Sequence, residues 1–342
     1  MNLDLKLCRN LSEQDRDFAL VSLLSRNGSA PRGPGAKMLV LPEGISGTIG
    51  GGALEAKAVE LALKSLETRT SFVETIDLTG REIDSVDMAC GGKVSILVEY
   101  ADCTDPEVKN HFRRLDSYQS RSVASTCITA FEITEAGTEV YRAVVGGDGI
   151  IKGELPGWAQ SLPAIDPGEP YRMHGLGDGR RILTESVCPP LHLYIFGGGH
   201  VGLKTAELAA FWGQSVTVID DRAEFVTPER FPNAETVECP EYENAFANFA
   251  VDESSCIVIV TRGHRYDNVV LRQALATRAG YIGMIGSKGK IKQGFEQLLA
   301  EGWTQADLDR VHAPIGLKIG SETPAEIAIS IIAEILQNSR KK

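Results

Sequence analysis

The stretch LHLYIFGGGHVGLKTAELAAFWGQSVTVIDDR, residues 191–222, decides the fold of the second half of the chain. It opens with a short apolar run, which is typical of a strand buried on both faces. Glycines at positions 197, 199 and 202 then fit the pattern G-x-G-x-x-G. An apolar helical stripe follows, and a second β-rich run ends in Asp220 and Asp221. Strand, glycine turn, helix, strand and acid within about 30 residues predict a Rossmann-type unit.

Each part of this unit has a physical reason. Gly197 permits a tight turn, Gly199 lets a pyrophosphate approach the backbone, and Gly202 lets the helix pack against the strand. The start of the helix, at His200, offers N–H groups and the positive end of the helix dipole to an anion. Asp220 lies 23 positions beyond Gly197, close to the spacing of a ribose-binding carboxylate. The pattern leaves open whether a nucleotide, another anion or nothing binds there.

Strands and helices continue to alternate to the end of the chain. Short apolar runs predict strands and amphipathic stretches predict helices, so we expect a doubly wound parallel sheet covered by helices. The predicted strands lie at residues 236–239, 255–260 and 281–285, and the predicted helices lie at residues 242–249, 268–278 and 325–336.

Polar residues follow two of these strands at their carboxyl ends, where open parallel sheets bind ligands. Arg262 and His264 follow the strand at residues 255–260 and are expected to face the glycine turn. Ser287 and Lys288 follow the next predicted strand, at a helix start that suits an anion. We therefore predict all four as cofactor-binding residues.

Two glycine-rich loops in the first half of the chain also favour anion binding. The first, at residues 28–37, combines basic and small residues that can donate to an anion. The second, at residues 50–52, precedes a helix predicted at residues 54–63, so its backbone N–H groups can receive an anion. The predicted donors are Arg32, Lys37, Gly50, Gly51 and Gly52.

A cysteine in the first half precedes two glycines, at Cys90, Gly91 and Gly92. It lies between two predicted strands on a turn that gives it little steric cover. A thiol in such a place is a candidate soft metal ligand or sulfur acceptor, although a lone cysteine is more often a small buried hydrophobic residue. We predict all three residues as part of a cofactor site.

The rest of the first half predicts a mixed α/β domain over residues 1–152. A proline- and glycine-rich stretch at residues 153–190 then indicates a linker with a candidate strand at residues 181–185, and residues 191–342 form the Rossmann-like domain. Helices are predicted at residues 12–28 and 105–120, strands at residues 37–41, 45–49, 72–78 and 93–100, and a β-hairpin over residues 123–145.

Composition excludes several classes of protein. The net charge of −11 gives no basic excess with which to displace counterions from nucleic acid. The N-terminus lacks a signal peptide, and no apolar run is long enough to span a membrane, so we expect a cytoplasmic protein. The seven cysteines are scattered without a C-x-x-C pair, which argues against a disulfide framework.

Taken in order, these motifs resemble the XdhC/CoxI family of maturation factors for molybdenum hydroxylases, such as xanthine dehydrogenase and carbon monoxide dehydrogenase. Two positions depart from the family pattern: Gly289 interrupts a basic run, and Lys318 stands where an acid is common. The first-half motifs are GSAPR (28–32), GAKMLV (35–40), GTIGGG (47–52) and CGG (90–92). The second-half motifs are IFGGGHV (195–201), VTVIDDR (216–222), TRGH (261–264), YIGMIGSK (281–288), APIGL (313–317) and TPAEIAISIIAEI (323–335).

The resemblance implies a function that composition cannot show. Members of this family bind molybdenum cofactor and deliver its sulfurated form to the apo-hydroxylase, so they resemble chaperones more than enzymes. The resemblance implies an N-terminal XdhC/CoxI domain, a Rossmann-like domain and a homodimer. The cofactor carries a phosphate and a dithiolene that holds the metal. Arg32 and the glycine loops would hold the phosphate, and Cys90 would ligate the metal or protect its sulfido group.

Two other functions fit parts of the sequence. The first is an NAD(P)-dependent oxidoreductase in which His264 is the acid/base and Asp220 binds the ribose. The second is a scaffold that recruits a cysteine desulfurase and the hydroxylase without holding cofactor. The first-half loops argue against a simple dehydrogenase, which would not need them.

Overall fold

The computed structural model describes residues 3–28, 32–78, 92–121, 123–160, 170–187 and 190–339, without the side chains of Glu241, His264 and Arg265. The chain divides into two compact units, Met1–Pro189 and Pro190–Lys342. The boundary lies where the sequence predicts the start of the Rossmann-like domain. We call them the first unit and the second unit.

The first unit contains two five-stranded antiparallel sheets and three helices in its described part. The strand order is β3-β2-β1-β5-β4 in the first sheet and β8-β7-β6-β10-β9 in the second. The first sheet consists of β1 (Phe18–Gly28), β2 (Lys37–Leu41), β3 (Gly44–Gly47), β4 (Phe72–Asp77) and β5 (Gly92–Ala101). The second consists of β6 (Ser125–Thr134), β7 (Gly137–Val145), β8 (Ile151–Gly153), β9 (Tyr171–Gly177) and β10 (Arg180–Val187), and the helices are α1 (Leu5–Glu13), α2 (Gly52–Thr68) and α3 (Pro106–Ser120).

The prediction of a helix at residues 12–28 is wrong. Helix α1 ends at Glu13, and β1 runs from Phe18 to Gly28 as the central strand of the first sheet. Its apolar residues pack on both faces: Val21 faces the core under α2, whereas Leu20 faces the core under α1 and α3. A strand buried on both faces has a continuous apolar run, and over so few residues such a run imitates a buried helix.

The predicted linker is also corrected. Strands β9 and β10 lie within residues 153–190, and β10 pairs with β6 along its whole length, from Arg180 opposite Glu132 to Val187 opposite Ser125. The described part of the segment, residues 153–160 and 170–187, therefore belongs to the first unit. Gly177 and Gly179 have positive φ at the turn between β9 and β10.

The second unit is a parallel six-stranded sheet in the order β13-β12-β11-β14-β15-β16. In sequence order this is 3-2-1-4-5-6, the order of a doubly wound Rossmann fold, as predicted. The strands are β11 (His192–Phe196), β12 (Ser215–Asp220), β13 (Glu235–Glu238), β14 (Ser255–Ile259), β15 (Tyr281–Met284) and β16 (Val311–His312). The helices are α4 (His200–Phe211), α5 (His264–Leu275), α6 (Lys288–Ala300), α7 (Gln305–Leu308) and α8 (Pro324–Ser339).

Helices cover both faces of this sheet. Leu193 and Ile195 of β11 pack with residues of α4 and α8, whereas Tyr194 and Phe196 pack with residues of α5 and α6. The strand order reverses between β11 and β14, so the ligand crevice of this fold lies beyond the carboxyl ends of those two strands.

Two local predictions in the second unit have different outcomes. The helix predicted at residues 242–249 is wrong, because this segment forms a series of turns with Tyr242 and Asn244 at positive φ. The capping box of α8 is confirmed, since Thr323 N–H donates to Glu326 at 2.9 Å and Glu326 N–H donates to the Thr323 hydroxyl at 3.3 Å.

Within the described ranges, no helix is long and apolar enough to cross a bilayer.

Candidate functional site

The glycine loop that follows β11 has the geometry of a nucleotide-binding turn. Gly197 has φ +119°, and a Cβ there would lie 2.3 Å from the carbonyl oxygen of Val260, so the position requires glycine. A Cβ on Gly202 would lie 1.8 Å from the carbonyl oxygen of Gly197, so glycine keeps α4 close to β11. Gly199 has open space around it and begins α4 without a side-chain cap. The first turn of α4 therefore offers its N–H groups to an anion.

Asp220 ends β12 beside this loop, and its carboxylate is already bound to the chain. Oδ2 accepts from the N–H of Gly198 at 2.8 Å, and Oδ1 accepts from Nε of Arg222 at 2.9 Å and from its backbone N–H at 3.1 Å. Burial acts to raise the pKa of Asp220, but the hydrogen bonds from Arg222 and Gly198 outweigh it and lower the pKa. Asp220 lies beside the turn as its spacing predicts, yet Arg222 uses the oxygens that a ribose would need.

The segment after β12 covers the same loop. A Cβ on Gly198 would lie 2.3 Å from the carbonyl oxygen of Phe225, so only glycine lets the two backbones approach so closely. Arg230 donates through Nε to the carbonyl oxygen of Gly198 at 3.1 Å, and the guanidinium of Arg222 lies 3.5 Å from the centre of the Phe225 ring. Sequence reasoning missed Arg222 and Arg230, although both follow the ribose-spaced acid within ten residues.

The loop after β14 reaches across to β12 through one ion pair. Arg262 donates through Nη2 to Oδ2 of Asp221 at 2.9 Å. Thr261 donates to Oδ1 of Asp267 at 2.6 Å, and both side chains are buried, so they order the start of α5. The backbone of His264 begins α5, but its side chain lies outside the described residues.

The other predicted residues of the second unit lie apart from the glycine loop or at its rim. His200 is the exposed first residue of α4. Ser287 and Lys288 begin α6 after β15, two strands away from β11 in the sheet. Lys288 lines a cavity of about 370 Å³ with Phe295 and Pro314. The structure therefore brings Arg262, but not Ser287 or Lys288, to the strand next to the glycine loop.

A partly buried carboxylate holds the loop that follows β16. Glu334 on α8 accepts from the Tyr281 hydroxyl at 2.6 Å and from the N–H of Gly316 at 2.8 Å, and its other oxygen lies 3.7 Å from Nδ1 of His312. Burial acts to raise the pKa of Glu334, but contacts with His312, Tyr281 and Gly316 lower it. The APIGL motif at residues 313–317 is thus attached to α8 through Gly316.

In the first unit, antiparallel pairing brings three motif loops to one end of the first sheet. Strands β1, β3 and β4 all run towards this end. The segments that follow them, to β2, α2 and β5 respectively, therefore begin at the same end of the sheet. Gly28 pairs with Gly92, and a Cβ on Gly92 would lie 2.4 Å from the carbonyl oxygen of Asn27. Gly28 of GSAPR, Gly47 of GTIGGG and Gly92 of CGG therefore lie at the same end of the first sheet.

The glycine loop before α2 already holds an internal carboxylate. Oε2 of Glu55 accepts from the N–H of Gly51 at 3.2 Å and from the hydroxyl of Thr48. The N–H of Gly50 donates to Thr48 Oγ1 at 3.1 Å. The N–H of Gly51 is thus used by Glu55 and that of Gly50 by Thr48, and the Glu55 carboxylate lies in the first turn of α2, where the helix dipole favours an anion.

Lys37 points into the interior of the first unit. Its ammonium lies 2.9 Å from Oε2 of Glu185 and 2.7 Å from the hydroxyl of Ser22, and it is 4% exposed. Burial acts to lower the pKa of Lys37, but Glu185 outweighs it and the pKa is raised. Lys37 therefore balances a buried charge, and no part of its ammonium is directed to solvent.

Arg32 is the cation of the same loop that stays exposed. Among the described residues, the guanidinium of Arg32 pairs with no carboxylate. The backbone carbonyl oxygen of Arg32 accepts a hydrogen bond from Nη1 of Arg26 at 3.4 Å. Cys90 and Gly91 lie outside the described residues. Among the residues that are described, no three His, Cys, Asp or Glu side chains come together to hold a metal ion.

Comparison with known protein families gives a consistent assignment. The profile described as the XdhC Rossmann domain matches residues 193–335, and that of the XdhC and CoxI family matches residues 11–77. The chain belongs to the XdhC and CoxI family. Both predicted domains of this family, the XdhC/CoxI domain and the Rossmann-like domain, are therefore present in the order expected.

Relatives of this XdhC/CoxI protein match nearly its whole length. A probable xanthine dehydrogenase subunit from Bacillus subtilis is 24% identical over 335 residues, which cover 97% of this chain and 96% of the relative. YqeB of Escherichia coli, an uncharacterised protein, is 25% identical over 329 residues, or 96% of this chain, but this chain spans only 44% of YqeB. A crystal structure named as a xanthine dehydrogenase from Bacillus halodurans has a TM-score of 0.79 and is 23% identical in sequence. The match covers 99% of this chain and 96% of that structure, so the two proteins share a fold.

Proposed function

We propose that this XdhC/CoxI protein is an accessory protein that binds molybdenum cofactor, protects it and inserts its sulfurated form into an apo molybdenum hydroxylase. The observation that carries the proposal is that Gly28, Gly47 and Gly92, one described residue from each of the GSAPR, GTIGGG and CGG motifs, lie at the same end of the first sheet. The family membership and the name of the Bacillus subtilis relative support a hydroxylase of the xanthine dehydrogenase type as the client.

The described residues fit the phosphate end of such a cofactor in part. The exposed guanidinium of Arg32 pairs with no carboxylate among the described residues, and a guanidinium pairs well with phosphate oxygens. Gly52 lies at the start of the 17-residue helix α2, whose dipole favours an anion nearby. Lys37 does not fit, because Glu185 holds its ammonium. We therefore assign phosphate binding to Arg32 and the start of α2. Lys37 has a structural role instead, as the counter-ion of Glu185.

Bound cofactor would supply a metal with a sulfido ligand, and the protein would keep that group from water and oxygen until transfer. Cys90 remains our candidate for the residue beside the metal. Replacing Cys90 with Ala should lower cofactor retention or hydroxylase activation, because a soft sulfur ligand would be lost. If both retention and activation stayed at the wild-type level, Cys90 would have no such role.

The first test is a direct assay of what the protein carries. The chain is purified without air, denatured, and the released molecules are assayed for pterin fluorescence, molybdenum and nicotinamide. Pterin and molybdenum in amounts equal to the protein would support the cofactor carrier. Nicotinamide without pterin would instead favour the oxidoreductase. If neither is found and added cofactor is not retained, the scaffold for a cysteine desulfurase and its client is supported.

The role of Arg32 has its own test. Arg32→Ala should weaken retention of the pterin cofactor by about tenfold, since a charge-assisted hydrogen bond contributes about 1.5–3 kcal/mol. Lys64→Ala is the matched control, because Lys64 is an exposed cation twelve residues along α2 from Gly52. Equal retention by the two variants would remove Arg32 from the site.

A further inference from the structure

A cavity of about 340 Å³ lies in the second unit, on one face of the sheet near the amino ends of its strands. Tyr194, Thr217 and Glu235 lie side by side in the register of β11, β12 and β13, so their side chains share this face. His192, which also lines the cavity, is the first residue of β11. It lies about 13 Å from Phe196, where the glycine loop begins, because a strand rises about 3.3 Å per residue. The cavity is therefore separate from the ligand crevice of the Rossmann fold.

The segment between β13 and β14 explains why this face is not filled. Helices normally cover the faces of a doubly wound sheet, but residues 242–249 form turns, with Tyr242 and Asn244 at positive φ. Asn244, Asn248 and Phe249 of this segment line the cavity. Pockets for small molecules have volumes of about 300–1,000 Å³, so the cavity has the size of a site for one small molecule.

The lining of the cavity is negatively charged. It includes Glu235 and Glu238 but neither lysine nor arginine. Burial lowers the pKa of His192, although the charges of Glu235 and Asp252 act to raise it, so the imidazole is neutral at pH 7. Neither glutamate forms an ion pair with a described residue. The chain thus supplies no counter-charge in the cavity, and a cationic ligand would provide it.

One of these carboxylates is held in place by a chain of hydrogen bonds. The Thr217 hydroxyl donates to Oε2 of Glu235 at 3.2 Å. Because this hydroxyl has a single proton, it must accept from Nε2 of His192, which lies 2.8 Å away. Oε1 of Glu235 accepts from no side chain or backbone group that the structure describes. The fixed carboxylate therefore keeps one oxygen for the donor of a ligand.

Aromatic rings form the apolar part of the same cavity. The rings of His192 and Tyr194 stack with centroids 4.2 Å apart and 9° between their planes, and the Phe249 centroid lies 5.0 Å from that of Tyr194. A guanidinium is a planar cation that stacks on aromatic rings and pairs with a carboxylate through parallel N–H groups. An alkylammonium ion would match the charge but not the flat rings.

We propose that this cavity binds a small organic cation with a guanidinium head group, which pairs with Glu235 and stacks against His192 and Phe249. The size of the cavity, its negative charge, the fixed carboxylate and the aromatic rings all match such a ligand. The site is independent of the cofactor function proposed for the first unit, because every residue that forms it belongs to the second.

The test is a ligand-observed NMR titration of the full chain with butylguanidinium, butylammonium and butylurea, which share one alkyl group. We expect the wild type to bind butylguanidinium with a Kd of about 1 mM or below. Butylammonium and the neutral butylurea should each bind about tenfold more weakly, because they lack the planar cation or the charge. The proposal is overturned if butylguanidinium does not bind, or if the three compounds bind equally.

Three variants locate the binding. Glu235→Gln keeps an acceptor for Thr217 but removes the charge, and should weaken butylguanidinium binding about tenfold. Glu229→Gln is the matched control, because it removes the same charge from an exposed residue of the second unit outside the cavity, and it should leave the affinity unchanged. Phe249→Leu keeps an apolar side chain but removes the ring, and should weaken butylguanidinium about threefold without affecting butylurea. Wild-type affinity in a folded Glu235→Gln protein, verified by circular dichroism, would also overturn the proposal.

Discussion

At the scale of single residues, two glycines of the G-x-G-x-x-G motif have different roles: Gly202 lets α4 pack closely, whereas Gly199 leaves space for a ligand. Gly202→Ala should destabilise the second unit by about 3 kcal/mol, because its Cβ would meet the backbone of Gly197 at 1.8 Å. Gly199→Ala is the matched control: its site is open at negative φ, so stability should change by less than about 0.5 kcal/mol. Denaturant unfolding followed by circular dichroism measures both, and equal losses would contradict the packing argument.

Lys37 gives a second prediction at this scale. Lys37→Met leaves Glu185 buried without a counter-charge and should cost about 3–5 kcal/mol of unfolding free energy. Adding Glu185→Leu should recover most of the loss, because an apolar pair needs no hydration. If Lys37→Met instead kept full stability and lost pterin retention, Lys37 would serve the cofactor and our structural assignment would fail.

The difference between these residues shows what sequence can predict about the site. The positive φ of Gly197 and the contact of Gly202 with the Gly197 carbonyl lie within six positions, so the motif alone predicts them. The role of Lys37 depends on Glu185, which is 148 positions away in a segment that the sequence presents as a linker. Sequence reveals donors and acceptors, but the fold decides which of them are already satisfied.

At the scale of elements, the same distinction applies. The Rossmann half is predictable nearly strand by strand, because parallel strands read as short apolar runs between helices. Strand β1 resembles a helix in sequence because burial on both faces removes the period-two pattern. Strand β9 escapes prediction, and β10 is predicted only over residues 181–185, because antiparallel hairpins rich in glycine resemble irregular chain.

The attachment of α8 predicts how the second unit responds to acid. Glu334 has a lowered pKa in the folded state, so its contribution to stability is complete above the ordinary value of 4.5 and is lost as the pH falls through the lowered value. Glu334→Gln should reduce stability at pH 7 by about 1–3 kcal/mol and flatten this acid-side slope. Denaturant midpoints measured between about pH 3 and pH 7 test it, and a slope equal to that of the wild type would contradict it.

At the scale of the whole molecule, each hydrophobic core is built from residues of one unit. The clusters around Val21, Leu20, Ile128 and Leu24 belong to the first unit, and those around Phe196 and Ile195 belong to the second. Hydrogen exchange followed by mass spectrometry should therefore show the largest loss of protection in the first unit for Lys37→Met and in the second unit for Gly202→Ala. The opposite pattern would contradict this assignment of the cores.

The pairing of β10 with β6 has a consequence for the order in which the molecule is made. A nascent chain emerges from the ribosome amino end first, and Glu185 is among the last residues of the first unit to appear. Until then β6 lacks a neighbour along one edge, and Lys37 lacks its counter-ion. The first unit can therefore close only when nearly all of its residues have been translated. Chains that terminate shortly before β10 should aggregate, because they expose an unpaired strand edge.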